Sequence, residues 1–371
     1  MAAHGGGNGF ESMKFCFLSS YAHLALDPAS NRVSGGAELQ VALLARELVR
    51  RGHEAVIIGG DMGQADGLVF DGVRTRNGGR FQTGALLDTL RAVPRVRRLL
   101  HEEQADYALI LGWTTWMYLL RFLRPAGCRT GFICGLDTEV NGEFRRENPV
   151  RGAFFEAGVR EADVRFAMSD YQAEQFARQG LGCGLYRNLI LPRREPRDAE
   201  KTLDLLWVAR CQPIKRPHLF LDLAQRLPEA RCRMICPRED VALWEDVAAR
   251  ASGLANLEFV ERVPYHEIQA HYDAARVFVN TSTSEGWPNS FIQAGLGAAA
   301  LLSLDVNSDR LFERFAPGIF ARGDFEAFVA GARALLGQPE TLAAARAGCE
   351  RFVEELHDNA RNVDAFLAGL R

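Results

Sequence analysis

The sequence predicts an α/β protein in which strand, helix, strand alternation runs through the chain twice, giving two parallel sheets covered by helices, with a cleft between them. Three observations carry this expectation. Short apolar runs, among them Lys14–Leu18, Glu54–Gly59, Leu203–Val208 and Val277–Val279, are separated by stretches whose apolar residues recur at helical intervals. The segment Leu191-Pro192-Arg193-Arg194-Glu195-Pro196-Arg197-Asp198, with two prolines and no periodicity, interrupts the alternation as a linker does. The polar, glycine-bearing stretches follow strands, and in open parallel sheets ligands bind at those carboxyl ends.

A chain of 371 residues is long enough for two domains, each burying its own core. The expected division is a disordered leader at 1–12, a first domain at 13–192, a linker at 193–199 and a second domain at 200–371, with the last helix packing back on the first domain. A formal net charge of -3 argues against a protein built around nucleic acid. Eight cysteines without a CxxC pair read as free thiols in a reducing compartment. No apolar run has the length of a membrane span, and Met1 to Gly9 lacks the apolar core of a signal peptide, so the expectation is a cytoplasmic protein, with Met13 as an alternative start. The run Gly5-Gly6-Gly7-Asn8-Gly9 precedes the first strand, whereas a dinucleotide fingerprint follows one.

In chain order, Lys14–Leu18 reads as the first strand, and Gly35-Gly36-Ala37-Glu38 opens a helix to Arg51 with Val41, Leu44, Ala45 and Leu48 on one face. Glycines at a helix mouth let the main chain approach a phosphate; equally, they make a tight turn. Two helical stretches between Gly79 and Gly127 carry Arg91, Arg95, Arg97, Arg98, Arg121 and Arg124 with apolar neighbours. Glu102, Glu103 and Asp106 dilute that charge, which favours solvated helix faces over peripheral contact with the inner face of a membrane. Gly131–Cys134 reads as a strand, and the loop after it holds Asp137, Glu139 and Glu143, which suit hydroxyl binding, catalysis or helix capping. Ser169 is the expected N-cap of a helix from Asp170 to Gln179.

The second series starts at Leu203–Val208. Arg210 and Lys215 follow that strand and precede a helix from Pro217, where a guanidinium and an ammonium can neutralise a diphosphate together. Further on, the strand Val277–Val279 leads through Ser284-Glu285-Gly286-Trp287-Pro288-Asn289-Ser290 into a helix from Phe291. That loop offers backbone donors at a helix start beside Glu285, Asn289 and Gln293, side chains suited to a hydroxylated, anionic ligand.

Together, Gly35-Gly36-Ala37-Glu38, Arg210 with Lys215, and Ser284-Glu285-Gly286-Trp287-Pro288-Asn289 resemble the retaining, sugar-nucleotide-dependent glycosyltransferases of the GT-B fold, family 4, over nearly the whole chain after the leader. The resemblance implies two Rossmann-like domains and a nucleotide-sugar donor held mostly by the second. Arg210 and Lys215 would hold the diphosphate, Glu285 the sugar hydroxyls, and the backbone through Gly286, Pro288, Asn289 and Ser290 the sugar and phosphate, with Gly35 and Gly36 approaching the diphosphate. The second Glu of the family's E-x7-E motif falls at Gln293, which still donates and accepts hydrogen bonds to a ribose diol. In this it resembles a bacterial polysaccharide-assembly subgroup. Where many relatives have an acceptor-side histidine, this chain has Asp137 or Glu139. No DxD-type site adjoins the motif, so neither metal nor cofactor is expected. The implied activity is a retaining hexosyltransferase with UDP favoured, acting on a glycan or lipid-linked acceptor. A sugar-nucleotide epimerase and a non-catalytic carbohydrate-binding relative are the alternatives.

Overall fold

The computed structural model describes residues 12–27, 35–81, 86–191, 200–264 and 267–370. The expected leader up to residue 11, the linker at 193–199 and the first two residues of a helix that the apolar spacing predicts over 265–275 lie outside the described residues.

Two sheets organise the chain. The first contains β1 (Lys14–Leu18), β2 (Glu54–Gly59), β3 (Val69–Phe70), β4 (Val73–Asn77), β5 (Tyr107–Leu111), β6 (Arg129–Ile133), β7 (Val164–Ala167) and β8 (Gly184–Leu185), in the order β3-β4-β2-β1-β5-β6-β7-β8. The second contains β9 (Leu203–Val208), β10 (Cys232–Ile235), β11 (Leu257–Val260), β12 (Ala275–Asn280), β13 (Ala300–Ser303) and β14 (Gly318–Phe320), in the order β11-β10-β9-β12-β13-β14. Every pairing in the second sheet is parallel. In the first, β1 lies parallel to β2 and β5, and the short β3 runs antiparallel to β4. Phe15, Cys16 and Phe17 are all buried, as a central parallel strand covered on both faces requires.

By compactness the chain divides into two units, one of Met1–Asp27, Ala37–Ile133 and Arg145–Arg165, the other of Pro28–Gly36, Cys134–Phe144 and Phe166–Arg371. In the first unit, Leu39, Val41, Leu44 and Leu48 form the buried side of the helix Gly36–Arg50. On the helix Leu86–Glu103 the Arg91 and Arg98 side chains are mostly exposed, while Val96, Leu99 and Leu100 are buried; on the helix Trp116–Leu123 and just past its end, Arg121 and Arg124 are half-buried and pair with Glu161 and Asp163. Between those helices lies β5, a strand left unassigned by the sequence pattern because its five residues, Tyr107–Leu111, sit between longer helical stretches. Among the described residues no helix is long and apolar enough to cross a membrane.

In the second unit the period of two along β9 sends Leu205 and Trp207 to one face of the sheet, with Phe220, Met234 and Val279, and Leu206 to the other, with Phe278, Phe291 and Phe352. Segments 134–144 and 166–191 group by contact with the second unit. The final helix, Asn359–Ala368, gives one reason: Phe366 stacks on Phe166 at 4.6 Å and meets Tyr186 edge-on at 5.6 Å. Ser169 caps the helix Asp170–Arg178 as expected, its side chain accepting the Gln172 amide at 3.1 Å.

Candidate active site

Because β9 and β12 are parallel neighbours, the loops leaving their carboxyl ends emerge side by side. One runs from Ala209 to Arg216, the other from Thr281 to Asn289, and they are laced together at several points. The Thr283 amide donates to the Ile214 carbonyl at 2.9 Å, and the Thr281 hydroxyl donates to the Lys215 carbonyl at 2.6 Å while accepting from the Trp207 indole at 2.9 Å. This lacing delivers two side chains to one point. Lys215 Nζ lies 2.5 Å from Glu285 Oε1, and Ser282 Oγ donates to the same oxygen at 2.7 Å. The Lys215 and Glu285 side chains are only 15% and 17% exposed, so the pair is sheltered from the solvent screening that makes surface ion pairs weak.

Gly36 reaches the same loop. Asn289, the first residue of the helix Asn289–Leu296, donates through Nδ2 to the Gly36 carbonyl at 3.2 Å and accepts from Asn188 Nδ2 at 2.8 Å. Asn188 also donates to the Trp287 carbonyl at 3.3 Å. Gly286 is required for a steric reason: a Cβ there would stand 2.4 Å from the Gly135 carbonyl oxygen and 3.4 Å from Leu136 Cα. The motif loop thus lies directly against the loop that carries Asp137.

A cavity of about 610 Å³ opens beside this contact, lined among others by Asp137, Glu285, Asp305, Ser308 and Asp309. Asp137 and Glu139 part company here. The Glu139 carboxylate is buried and accepts the backbone amides of Gly135 at 2.8 Å and Leu136 at 3.2 Å, so it shapes the loop. Asp137 lines the cavity, and burial pushes its carboxyl up to about 6 against the opposing hydrogen bond from Gln172 at 3.0 Å, with the Asp309 charge adding to the rise.

Arg210 stands apart from this cluster. It pairs with Glu239 at 2.9 Å, with its side chain 43% exposed. Gln293 lies in the helix Asn289–Leu296, partly buried, and its backbone carbonyl accepts from the Gln269 side-chain amide at 3.1 Å. Pro288 is the N-cap residue of that helix, and Ser290 falls in its first turn.

Four residues that the sequence pattern left without a role complete the site's framework. Arg216 donates to the Thr281 carbonyl at 2.6 Å and the Ser282 carbonyl at 3.2 Å, and pairs with Asp305. Ser308 Oγ donates to the Gly286 carbonyl at 2.6 Å. Asp309 is held by Arg187 at 2.7 Å and by the Tyr171 amide at 3.1 Å. Asp309 and the next residue, Arg310, are both left-handed, with φ of 51° and 56°, a conformation that costs a non-glycine residue energy and persists where surrounding contacts impose it. Arg216 had a visible signal, a second cation beside Lys215; the turn at 305–310 had none.

Comparison with known proteins agrees with this geometry. Residues 35–184 match the model of the glycosyl transferase 4-like domain, and residues 202–338 match glycosyl transferases group 1. A search of the curated proteins finds no match. Among solved structures, sucrose-phosphate synthase from Thermosynechococcus elongatus superposes with a TM-score of 0.77 at 15% identity, covering 96% of this chain and 98% of that one. Anabaena Alr3699/HepE in complex with UDP-glucose gives 0.73 at 15% identity, covering 96% and 99%. The structure described as "Trehalose-6-phosphate from E. coli bound with UDP-2-fluoro glucose" gives 0.68 at 12% identity, covering 96% and 98%. The two matched models, in this order along a chain with two parallel sheets, place the protein among the GT-B glycosyltransferases, with a 4-like domain followed by a group 1 domain.

Proposed function

We propose that this chain is a retaining hexosyltransferase that moves a sugar from a nucleotide-diphosphate sugar, with UDP as the favoured nucleotide, to a glycan or lipid-linked acceptor without a metal. The observation that carries the reading is the sheltered Lys215–Glu285 pair, a cation and a hydroxyl-binding carboxylate 2.5 Å apart at the carboxyl ends of two adjacent strands. That Anabaena Alr3699/HepE was solved with UDP-glucose supports the choice of nucleotide.

In this reading the donor divides the pair. Lys215 turns to the diphosphate, joined by Arg210, whose exposed pairing with Glu239 costs little to exchange. Glu285 accepts the sugar hydroxyls, the backbone from Gly286 to Ser290 assists at sugar and phosphate, Gly35 and Gly36 approach the diphosphate, and Gln293 takes the ribose diol. Asp137 meets the acceptor. The bond between the anomeric carbon and the phosphate oxygen breaks with its electron pair left on the phosphate. That oxygen then takes the acceptor's proton as the acceptor oxygen bonds the anomeric carbon from the same face. Charge grows on the diphosphate throughout, and preorganised cations stabilise it.

The test is a transfer assay with the anomeric configuration of the product read by NMR. Lys215→Ala or Arg210→Ala is expected to raise the barrier by about 2.7 to 4 kcal/mol, the typical effect of losing one preorganised donor. Transfer with retention in the presence of a chelator agrees with the proposal. A strict need for magnesium or manganese, an inverted product, or full turnover in Lys215→Ala contradicts it.

A further inference from the structure

Lys215 and Arg216 are adjacent cations with opposite assignments. The Lys215 ammonium meets the Glu285 carboxylate itself, whereas the Arg216 guanidinium is spent on the chain that carries Glu285: its Nε on the Thr281 carbonyl at 2.6 Å, one terminal nitrogen on the Ser282 carbonyl at 3.2 Å and on Asp305. The backbone explains how neighbours come to face different ways. Arg216 is left-handed, with φ of 45°, at the junction where the short turn Pro213–Lys215 ends and the helix Pro217–Arg226 begins. Its side chain is 22% exposed, and it pairs with a carboxylate from a third loop.

That third loop closes the far end. Asp305 belongs to the segment after β13, and three residues later Ser308 Oγ donates to the Gly286 carbonyl at 2.6 Å. Thr281 and Ser282 are therefore held by Arg216, and Gly286, immediately after Glu285, by Ser308. Glu285 rides on a loop whose carbonyls are fixed on both sides of it by the Arg216 and Ser308 side chains. We infer that Arg216, seconded by Ser308, is the positioning residue for Glu285: it sets where the carboxylate meets the sugar and leaves the binding of the nucleotide to other groups. Lysine cannot replace it, because one ammonium does not reproduce a planar fork spanning two carbonyls and a carboxylate.

This rests on the donor reading for its chemical consequence, so the test has two independent arms on the full chain. Amide hydrogen exchange across 281–287 is compared in the wild type, Arg216→Lys and Ser308→Ala, with β9 and β12 as internal references. UDP and UDP-glucose are titrated calorimetrically into the same proteins. The expected result is faster exchange confined to the loop, UDP affinity within about threefold of wild type, and a fall of about tenfold in the preference for UDP-glucose over UDP, within what loss of a charge-assisted hydrogen bond allows. Guanidinium added to Arg216→Ala restores that preference. A general loss of packing would lower both affinities together, and that result overturns the assignment. So does unchanged loop exchange in both variants, whatever the ligand. If the wild type binds neither UDP nor UDP-glucose, the UDP-sugar reading fails, and the exchange arm alone then upholds or overturns Arg216 as the clamp. Should Arg216→Lys fail to fold, Ser308→Ala decides the question from the Gly286 end.

Discussion

At the scale of single residues, the site is an exercise in which carboxylates are already committed. Glu139 is spent on two backbone amides, Asp309 on Arg187 and the Tyr171 amide, and Asp305 on Arg216. Asp137 differs from these: its carboxyl meets the neutral amide of Gln172, and burial holds it near 6 at the cavity wall. The sign of the consequence follows from the raised value. Between its unfolded value of 3.8 and about 6 the folded protein holds the proton more tightly than the unfolded chain does, so stability from this group is full at the acid end and is lost as pH rises through 6. In the proposed function, acceptor binding through the Asp137 carboxylate runs the other way, gaining over the same interval. Transfer rate measured between pH 5 and 7.5 at saturating donor should therefore climb with a midpoint near 6, and Asp137→Asn should flatten that limb while leaving nucleotide affinity alone. A limb unchanged in the variant would remove Asp137 from the acceptor side.

At the scale of elements, the design lies in strand ends. Parallel pairing of β9 with β12 brings the Lys215 and Glu285 loops together, and pairing of β12 with β13 brings in the 305–310 turn. Glycine sets how closely the loops approach. With the Gly135 carbonyl 2.4 Å from where a Cβ on Gly286 would lie, Gly286→Ala must displace backbone on one side or the other. Displacement of about 1 Å at such a site costs on the order of 100-fold in rate. The variant should fold, because the obstacle lies outside the two apolar clusters of the second unit, and lose turnover by about that factor; its melting temperature and kcat measured side by side check this. Wild-type turnover in Gly286→Ala would mean that the contact with the Gly135 loop has no part in positioning Glu285.

At the scale of the whole molecule, the double α/β alternation was legible because period-two strands and period-3.6 helices alternate with little overlap, and Lys14–Leu18, Glu54–Gly59 and Leu203–Val208 have the same bounds in the structure as in the pattern. Three strands were less visible. β3 is two residues long, β4 reads Val73-Arg74-Thr75-Arg76-Asn77 with no apolar run, and β5 lies between longer helical stretches. Lys215 and Glu285 were legible as chemistry, since each stands in a loop after a strand. Their pairing depends on sheet order, which no local pattern encodes. Arg216 and Ser308 were legible only as a charge and a hydroxyl, because their roles are contacts with carbonyls 65, 66 and 22 residues away. The grouping of 166–191 with the second unit likewise depends on Phe366, at the other end of the chain, stacking on Phe166.

The central claim is that this framework exists to hold a nucleotide-diphosphate sugar, and one measurement meets it head on: the melting temperature of the wild-type chain against a panel of UDP-, GDP-, ADP- and TDP-sugars. A ligand that binds only the folded state adds about 2.7 kcal/mol at 100 times its dissociation constant. The account predicts a clear upward shift with one nucleotide class, UDP-sugars foremost, at millimolar ligand and without added metal. A panel in which no nucleotide sugar raises the transition would contradict it.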